Sequence, residues 1–247
     1  MTEAEALTTP ISMLWESADP DAALTERFGF ASAVEATDWL TGVLAEHWGL
    51  RVAGCERLVV SDANCLAWIT VDGCRMIAKW SMRPRVFARL AVIARLTVWL
   101  GERGIPVSIP QAARDGRVQV EVDGFSLGLQ RVVDGELLDI TDPEQVRAAG
   151  EMLARMHAAM ADYPELIPTD EPPAPGAQLV GNDFRSANII WARDPLPPLA
   201  SDAGGCARGV RRGASCGRAI GQSPTASMPR WTMRGSGVPT TSGSFSS

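Results

Sequence analysis

The chain has 247 residues, enough for one large domain or two lobes with separate cores, and its 46% hydrophobic and 21% charged content excludes a disordered protein. A net charge of −6 argues against nucleic acid as the main partner. The longest apolar stretch, 87–100, is broken by Arg89 and Arg95 and is too short for a bilayer, so no membrane partner is expected. The start Met1-Thr2-Glu3-Ala4-Glu5 is acidic and carries no apolar signal core. Cys55, Cys65, Cys74, Cys206 and Cys216 show no CxxC pairing and no nearby histidine cluster. Zinc is therefore not expected, and free thiols in a cytoplasmic protein are.

Along the chain, Ser32-Ala33-Val34-Glu35 is a capping-box pattern. It opens a helix in which Val34, Trp39, Leu40, Val43, Leu44 and Trp48 recur at helical spacing. Strands are predicted over 58–60, 65–71 and 74–80, with Asp72-Gly73 as a two-residue hairpin turn. Period-two alternation places Arg75, Ile77 and Lys79 on one face of the last strand. Pro84 precedes an amphipathic helix reaching Gly104. A second hairpin over 118–122 and 125–133 turns at Asp123-Gly124. Thr141-Asp142-Pro143-Glu144 supplies a cap, a proline at the first helical position and a first-turn acid, starting a helix that runs to about Met160. A proline-rich loop over 168–175 leads to Asp183 and Asn188, set between apolar runs.

One residue type stands apart. Of 23 basic residues only Lys79 is lysine. Arginine is a planar, permanently charged fork, whereas lysine is a compact point charge that can seat among phosphate oxygens.

The order of these pieces resembles the aminoglycoside phosphotransferase and choline kinase group of small-molecule kinases, over roughly 50–195. Met76-Ile77-Ala78-Lys79 resembles the family's strand lysine, and 127–135 its inter-lobe hinge. Leu153-Ala154-Arg155-Met156-His157 resembles the helix before the catalytic loop, and Asp183-Phe184-Arg185-Ser186-Ala187-Asn188-Ile189-Ile190 the loop itself. His157 lies on the helix face of Gly150 and Leu153 and is expected as a core histidine.

The resemblance implies an α+β, two-lobed protein-kinase-like fold with a β-rich N-lobe, an incomplete helical C-lobe and a disordered C-terminal tail. It divides the chain into an N-terminal helical segment over 1–50, an N-lobe over 51–132, a partial C-lobe over 133–200 and an aberrant tail over 201–247. The implied activity is ATP-dependent phosphorylation of a hydroxyl on a small molecule. Such chemistry depends on positioning and on neutralising phosphate oxygens. By resemblance Lys79 binds the α- and β-phosphates of ATP. Asn64 belongs to the turn over the phosphates, and backbone groups near Gln130 and Val132 meet the adenine edge. Asp183 orients the acceptor hydroxyl, and Arg185 lies where a cation reaches the transferring phosphate. Asn188 presents its carbonyl oxygen to Mg²⁺, a hard cation that takes oxygen ligands.

Several positions depart from the family pattern. Gly181 stands where a histidine is usual, two residues before Asp183. The phosphate-covering turn, Ser61-Asp62-Ala63-Asn64, has no glycine. The helix after Lys79 carries its only acid, Glu102, at the far end. Beyond Ala200 the chain has no leucine, lysine or glutamate and no acid after Asp202, and shows no helical or strand period. A shifted reading frame or truncation of the C-terminal lobe is expected from that switch, with the second metal-binding aspartate lost. Two alternatives stay open on these residues: a pseudokinase-like nucleotide-binding module, and a degenerate remnant.

Overall fold

A computed structural model describes residues 9–168, 178–181, 188–192, 220–222 and 231–234. Strand β1 (Ile11–Met13) opens the chain, followed by helices α1 (Pro20–Phe28) and α2 (Ala33–Val43). A wide π-type turn, Leu44–Trp48, ends α2. Both helices start on side-chain caps that offset unpaired first-turn amides. Asp19 Oδ1 accepts from Ala22 N at 2.8 Å, with Pro20 in the first turn. Ser32 Oγ accepts from Glu35 N at 3.2 Å, while Glu35 Oε2 reaches back to Ala31 N at 2.6 Å.

Strands β2 (Val52–Val60), β3 (Asn64–Val71) and β4 (Cys74–Ser81) form an antiparallel meander. A single 3₁₀ turn, Pro84–Val86, then leads into α3 (Phe87–Glu102). Strands β5 (Val120–Val122) and β6 (Phe125–Arg131) complete a six-stranded sheet in the order β1-β2-β3-β4-β6-β5. The two Asp-Gly turns are what the sheet's twist requires: Asp72 and Gly73 have φ 47° and 80°, Asp123 and Gly124 φ 49° and 80°. β1 joins the sheet parallel to β2, with Ile11 opposite Leu58 and Met13 opposite Val60.

The sheet is apolar on both faces. Leu58, Val60, Ala67, Ile69, Met76, Ala78, Trp80, Leu127 and Leu129 turn to α1 and α2, where Leu24, Phe28, Leu40 and Leu44 are buried. Burying each leucine, isoleucine, valine, methionine or phenylalanine among them contributes about 1.5–3 kcal/mol. Phe30, Trp39 and Phe125 pack around Trp80's edge of this core, and Trp39 Nε1 donates to Asp123 Oδ2 at 2.9 Å. The opposite face is smaller and belongs to the candidate site.

The second lobe begins with β7 (Gly135–Leu137) and α4 (Pro143–Ala161), the latter capped by Asp142 Oδ1, which accepts from Glu144 N at 2.9 Å. α3 packs on α4: Val92, Ile93, Leu96 and Leu100 share a core with Met156, Met160, Ile167 and Leu179. Strands β8 (Gln178–Gly181) and β9 (Ile189–Ala192) follow in the chain. Two short segments, β10 (Ile220–Gln222) and β11 (Trp231–Arg234), pair antiparallel with β9 and β8. The absence of a strand period after residue 200 did not predict this pairing. Backbone ladders need only extended residues, and a side-chain period reports burial of one face, which short edge strands lack. The other residues of 201–247, for which disorder is expected, lie outside the described residues.

Cys55 and Cys65 are free thiols, whereas Cys74 is disulfide-bonded, which corrects the expectation of free thiols throughout. Among the described residues no helix is long and apolar enough to cross a membrane.

Candidate active site

The face of the sheet turned away from α1 and α2 carries Val59, Leu66, Trp68 and Ile77, with Leu14 and Val132 packed against them. Alternation along β4 puts Lys79 on this face with Ile77, as the spacing predicts. Lys79 is half-buried and stands between Leu66 of β3 and Gly128 of β6. Apolar strands beside one half-buried ammonium are what a flat aromatic base and its phosphates require together. Arg57 lies over the Trp68 ring at 4.1 Å from its centroid, closing the distal end of the face.

The glycine-free turn between β2 and β3 sits at the Lys79 end of the sheet, since Asn64 pairs with Ser81 and Leu66 with Lys79. It is closed by hydrogen bonds, where a glycine-rich loop would be left loose. Ser61 N and Ser61 Oγ both donate to Asn64 O, at 2.8 and 3.0 Å. Ala63 O accepts from Ser81 Oγ and from Met82 N, each at 3.2 Å. At the tip, Arg83 Nη2 donates to Asp62 Oδ2 at 2.7 Å. Asn64 Oδ1 is shielded from solvent and has no hydrogen-bond partner among the described residues. An acceptor left without a partner costs about 1–3 kcal/mol, which a donor from a ligand or water would offset.

On the hinge side, Gln130 pairs with Ile77 and bridges to Pro110, and its Nε2 donates to Ser108 O at 3.2 Å. Val132 N donates to Arg75 O at 3.0 Å, so that amide belongs to the sheet. Arg75 itself grips Glu56 through Nε and Nη2, at 3.0 and 3.2 Å, and lies 3.6 Å from Asp134. The Arg75 guanidinium holds the Glu56 carboxyl below the usual carboxylate range. The strand carrying the lysine, β2 on the far side of β3, and the chain leaving for the second lobe thus meet at one arginine.

α3 has no acid in its first turn, and Glu102 is its last residue, about 22 Å along the axis from the first. The helix is instead fixed to the second lobe. Arg95 Nη2 and Nε contact Glu165 at 2.6 and 2.9 Å, and Tyr163 OH donates to Val92 O at 3.3 Å. Burial pushes the Tyr163 hydroxyl well up from its ordinary range, so it remains a donor. His157 is half-buried on α4, and burial lowers its pKa, in keeping with a packing histidine.

Asn188 is buried, at 5% exposure, directly before β9. Ile189 beyond it packs on Ala149 of α4, and Leu138 N donates to Ile189 O at 3.0 Å. Asp183 and Arg185 lie outside the described residues. The structure therefore places Lys79, Asn64 and Gln130 on one face of one sheet, and Asn188 at the root of a strand in the second lobe. Sequence reasoning overlooked Leu14 and the Arg83–Asp62 pair. The signal for the pair was an arginine just past β4 and an acid at the facing turn.

No family model matches the chain. In architecture it resembles the structure of amicoumacin kinase hAmiN in complex with AMP-PNP, Ca²⁺ and Ami, with a TM-score of 0.52 at 14% identity, over 63% of this chain and 60% of that one. The fold is thus an α+β, two-lobed kinase-like fold. In sequence the chain is 37% identical over 82 residues to a homoserine kinase of Cupriavidus taiwanensis, covering 33% of this chain and 25% of that protein. It is 31% identical over 101 residues to a homoserine kinase of Burkholderia mallei, covering 41% of this chain and 26% of that protein. The chain therefore spans about a quarter of the length of these curated relatives. Its likeness to small-molecule kinases is present both in fold and in part of its sequence.

Proposed function

We propose that the chain is an ATP-dependent phosphotransferase acting on a hydroxyl of a small molecule. The observation that carries this reading is the placement of the one lysine, Lys79, on the apolar inner face of a kinase-like sheet, next to the turn that holds the buried, unpartnered Asn64 Oδ1. On this reading the adenine ring lies against Val59, Leu66, Ile77 and Val132, with backbone near Gln130 and Val132 at its edge. Lys79 neutralises the α- and β-phosphates, and Asn64 receives a donor from the ligand side of its turn.

Asp183 accepts or orients the acceptor's hydroxyl proton, and Arg185 meets the transferring phosphate. The amide oxygen of Asn188 is a hard donor and suits Mg²⁺, which in such sites neutralises charge on bridging phosphate oxygens. Among the described residues no group of three His, Cys, Asp or Glu side chains could hold a metal, so further oxygen ligands must come from elsewhere, phosphates and water included. Homoserine, which the curated relatives name, is the first acceptor to try.

A second reading, nucleotide binding without turnover, is favoured by the position of Glu102, which leaves α3 without an acid near Lys79. Melting the full chain with Mg²⁺ and AMP-PNP tests the nucleotide site common to both. At a hundredfold excess over Kd a bound ligand stabilises by about 2.7 kcal/mol. That gain should be present in the wild type and absent in Lys79→Ala. Equal melting with and without nucleotide at every concentration would sink both readings.

A further inference from the structure

Resting on the nucleotide reading of the inner face, we propose that Arg83 is a phosphate-positioning residue held in reserve by Asp62: when a nucleoside triphosphate enters, the guanidinium leaves the Asp62 carboxylate for the terminal phosphate. Three features of the structure carry this. The first is place. Arg83 lies four residues beyond Lys79, at the exit of β4, and its Nη2 is 2.7 Å from Asp62 Oδ2 at the tip of the turn over the Lys79 end of the sheet.

The second is what holds the turn without Arg83. Ala63 O takes two hydrogen bonds from Ser81 Oγ and Met82 N, Ser61 and Asn64 bond across the turn, and Ser61 and Ser81 are both 1% exposed. The backbone of the turn is thus closed by buried contacts, and the Arg83–Asp62 pair is not needed to shape it.

The third is energetic. Arg83 and Asp62 side chains are 37% and 57% exposed, so their attraction is largely screened and cheap to exchange. A guanidinium on a phosphate makes charge-assisted bonds in a matched fork geometry and gains more. α3 starts just beyond with neither a side-chain cap nor a first-turn acid, so its N-terminus sets no further negative side chain beside the guanidinium. The exchange answers one departure from the family pattern, the missing glycines. A rigid turn cannot wrap phosphates with its own amides, and a mobile guanidinium beside it can.

The test is isothermal titration of the full chain with AMP-PNP and, separately, with AMP, which lacks the terminal phosphates. Arg83→Ala should weaken AMP-PNP about tenfold and leave AMP within about a factor of two, with Arg83→Lys between wild type and alanine. Asp62→Asn should tighten AMP-PNP about threefold by freeing the arginine. The double variant should stay as weak for AMP-PNP as Arg83→Ala. Recovery of wild-type affinity in the double variant would overturn the exchange, because Arg83 would then only be neutralising Asp62. Equal weakening of AMP-PNP and AMP would overturn it as well, by marking a structural pair. If Arg83→Ala does not fold, Arg83→Lys and Asp62→Asn decide the matter, and an AMP-PNP to AMP ratio unmoved in both contradicts the exchange. A wild type that binds neither nucleotide removes the nucleotide reading itself, a result distinct from binding with an unmoved ratio.

Discussion

Lys79 and Gly128 stand opposite one another in the β4–β6 ladder, so the one lysine of the chain has a neighbour with no side chain. The vacated space is used. A Cβ at position 128 would lie 2.6 Å from Gln119 Oε1, and Gln119 is itself fixed by its Nε2 bond to Ser126 Oγ at 3.0 Å. The terminal amide of Gln119 can yield a little, and branched carbons cannot be accommodated. Gly128→Ala should therefore be tolerated, while Gly128→Val should lose about 1–3 kcal/mol through overpacking and weaken AMP-PNP binding as Lys79 is crowded. Denaturant melts and nucleotide titration of the two variants check this. A valine variant with wild-type affinity would show that Lys79 does not need that space.

Substitution of Asn64 tests nucleotide binding apart from stability. Its Oδ1 is buried and unpartnered, so removing the amide relieves a desolvated acceptor. Asn64→Ala should leave stability unchanged or raise it by about 1 kcal/mol, while lowering AMP-PNP affinity. A variant that is less stable and binds normally would reassign Asn64 to the architecture of the turn.

The tie between α3 and the second lobe should depend on pH. Arg95, hydrogen-bonded to Glu165, holds that carboxyl below the ordinary value of 4.5. A carboxylate whose pKa is lower in the folded state stabilises the protein above the unfolded value, and the contribution disappears as the pH falls through the folded value. Glu165→Gln should cost about 0.5–1 kcal/mol at neutral pH, a figure already discounted for the exposure of the pair, and nothing once the wild-type carboxyl is protonated. Melts of both proteins between pH 7 and pH 3 should converge at the acid end, and parallel curves would contradict the ion pair.

Much of this architecture was legible because local chemistry and tertiary need agree. Asp72-Gly73 and Asp123-Gly124 adopt the positive φ angles that two-residue hairpins demand, and β3, β4, β5 and β6 fall within two residues of the strands expected around those turns. Ser32 and Asp142 cap their helices as their neighbours suggest. α1 escaped notice although Asp19-Pro20-Asp21 repeats the signal that announced α4, because its apolar stripe is only Ala23, Leu24 and Phe28. β1 and β7 escaped because three residues carry no readable period.

For the site, the standing of Lys79 as the one lysine and its face of the sheet were readable from composition and alternation. The Arg83–Asp62 contact joins residues 21 apart through a turn whose closure by Ser61 and Ser81 no local pattern announces. Asn188 was marked by its spacing from Asp183, and its burial follows from Ile189 docking on α4, which is a tertiary fact.

The most direct measurement is transfer of labelled terminal phosphate from ATP, with Mg²⁺, to a panel of small hydroxylated molecules that includes homoserine, using wild type, Lys79→Ala and Asp183→Asn. The account predicts a labelled small molecule from the wild type and a loss of about a hundredfold or more in each variant. A folded, nucleotide-binding wild type that labels nothing, or transfer that survives both substitutions, would contradict it.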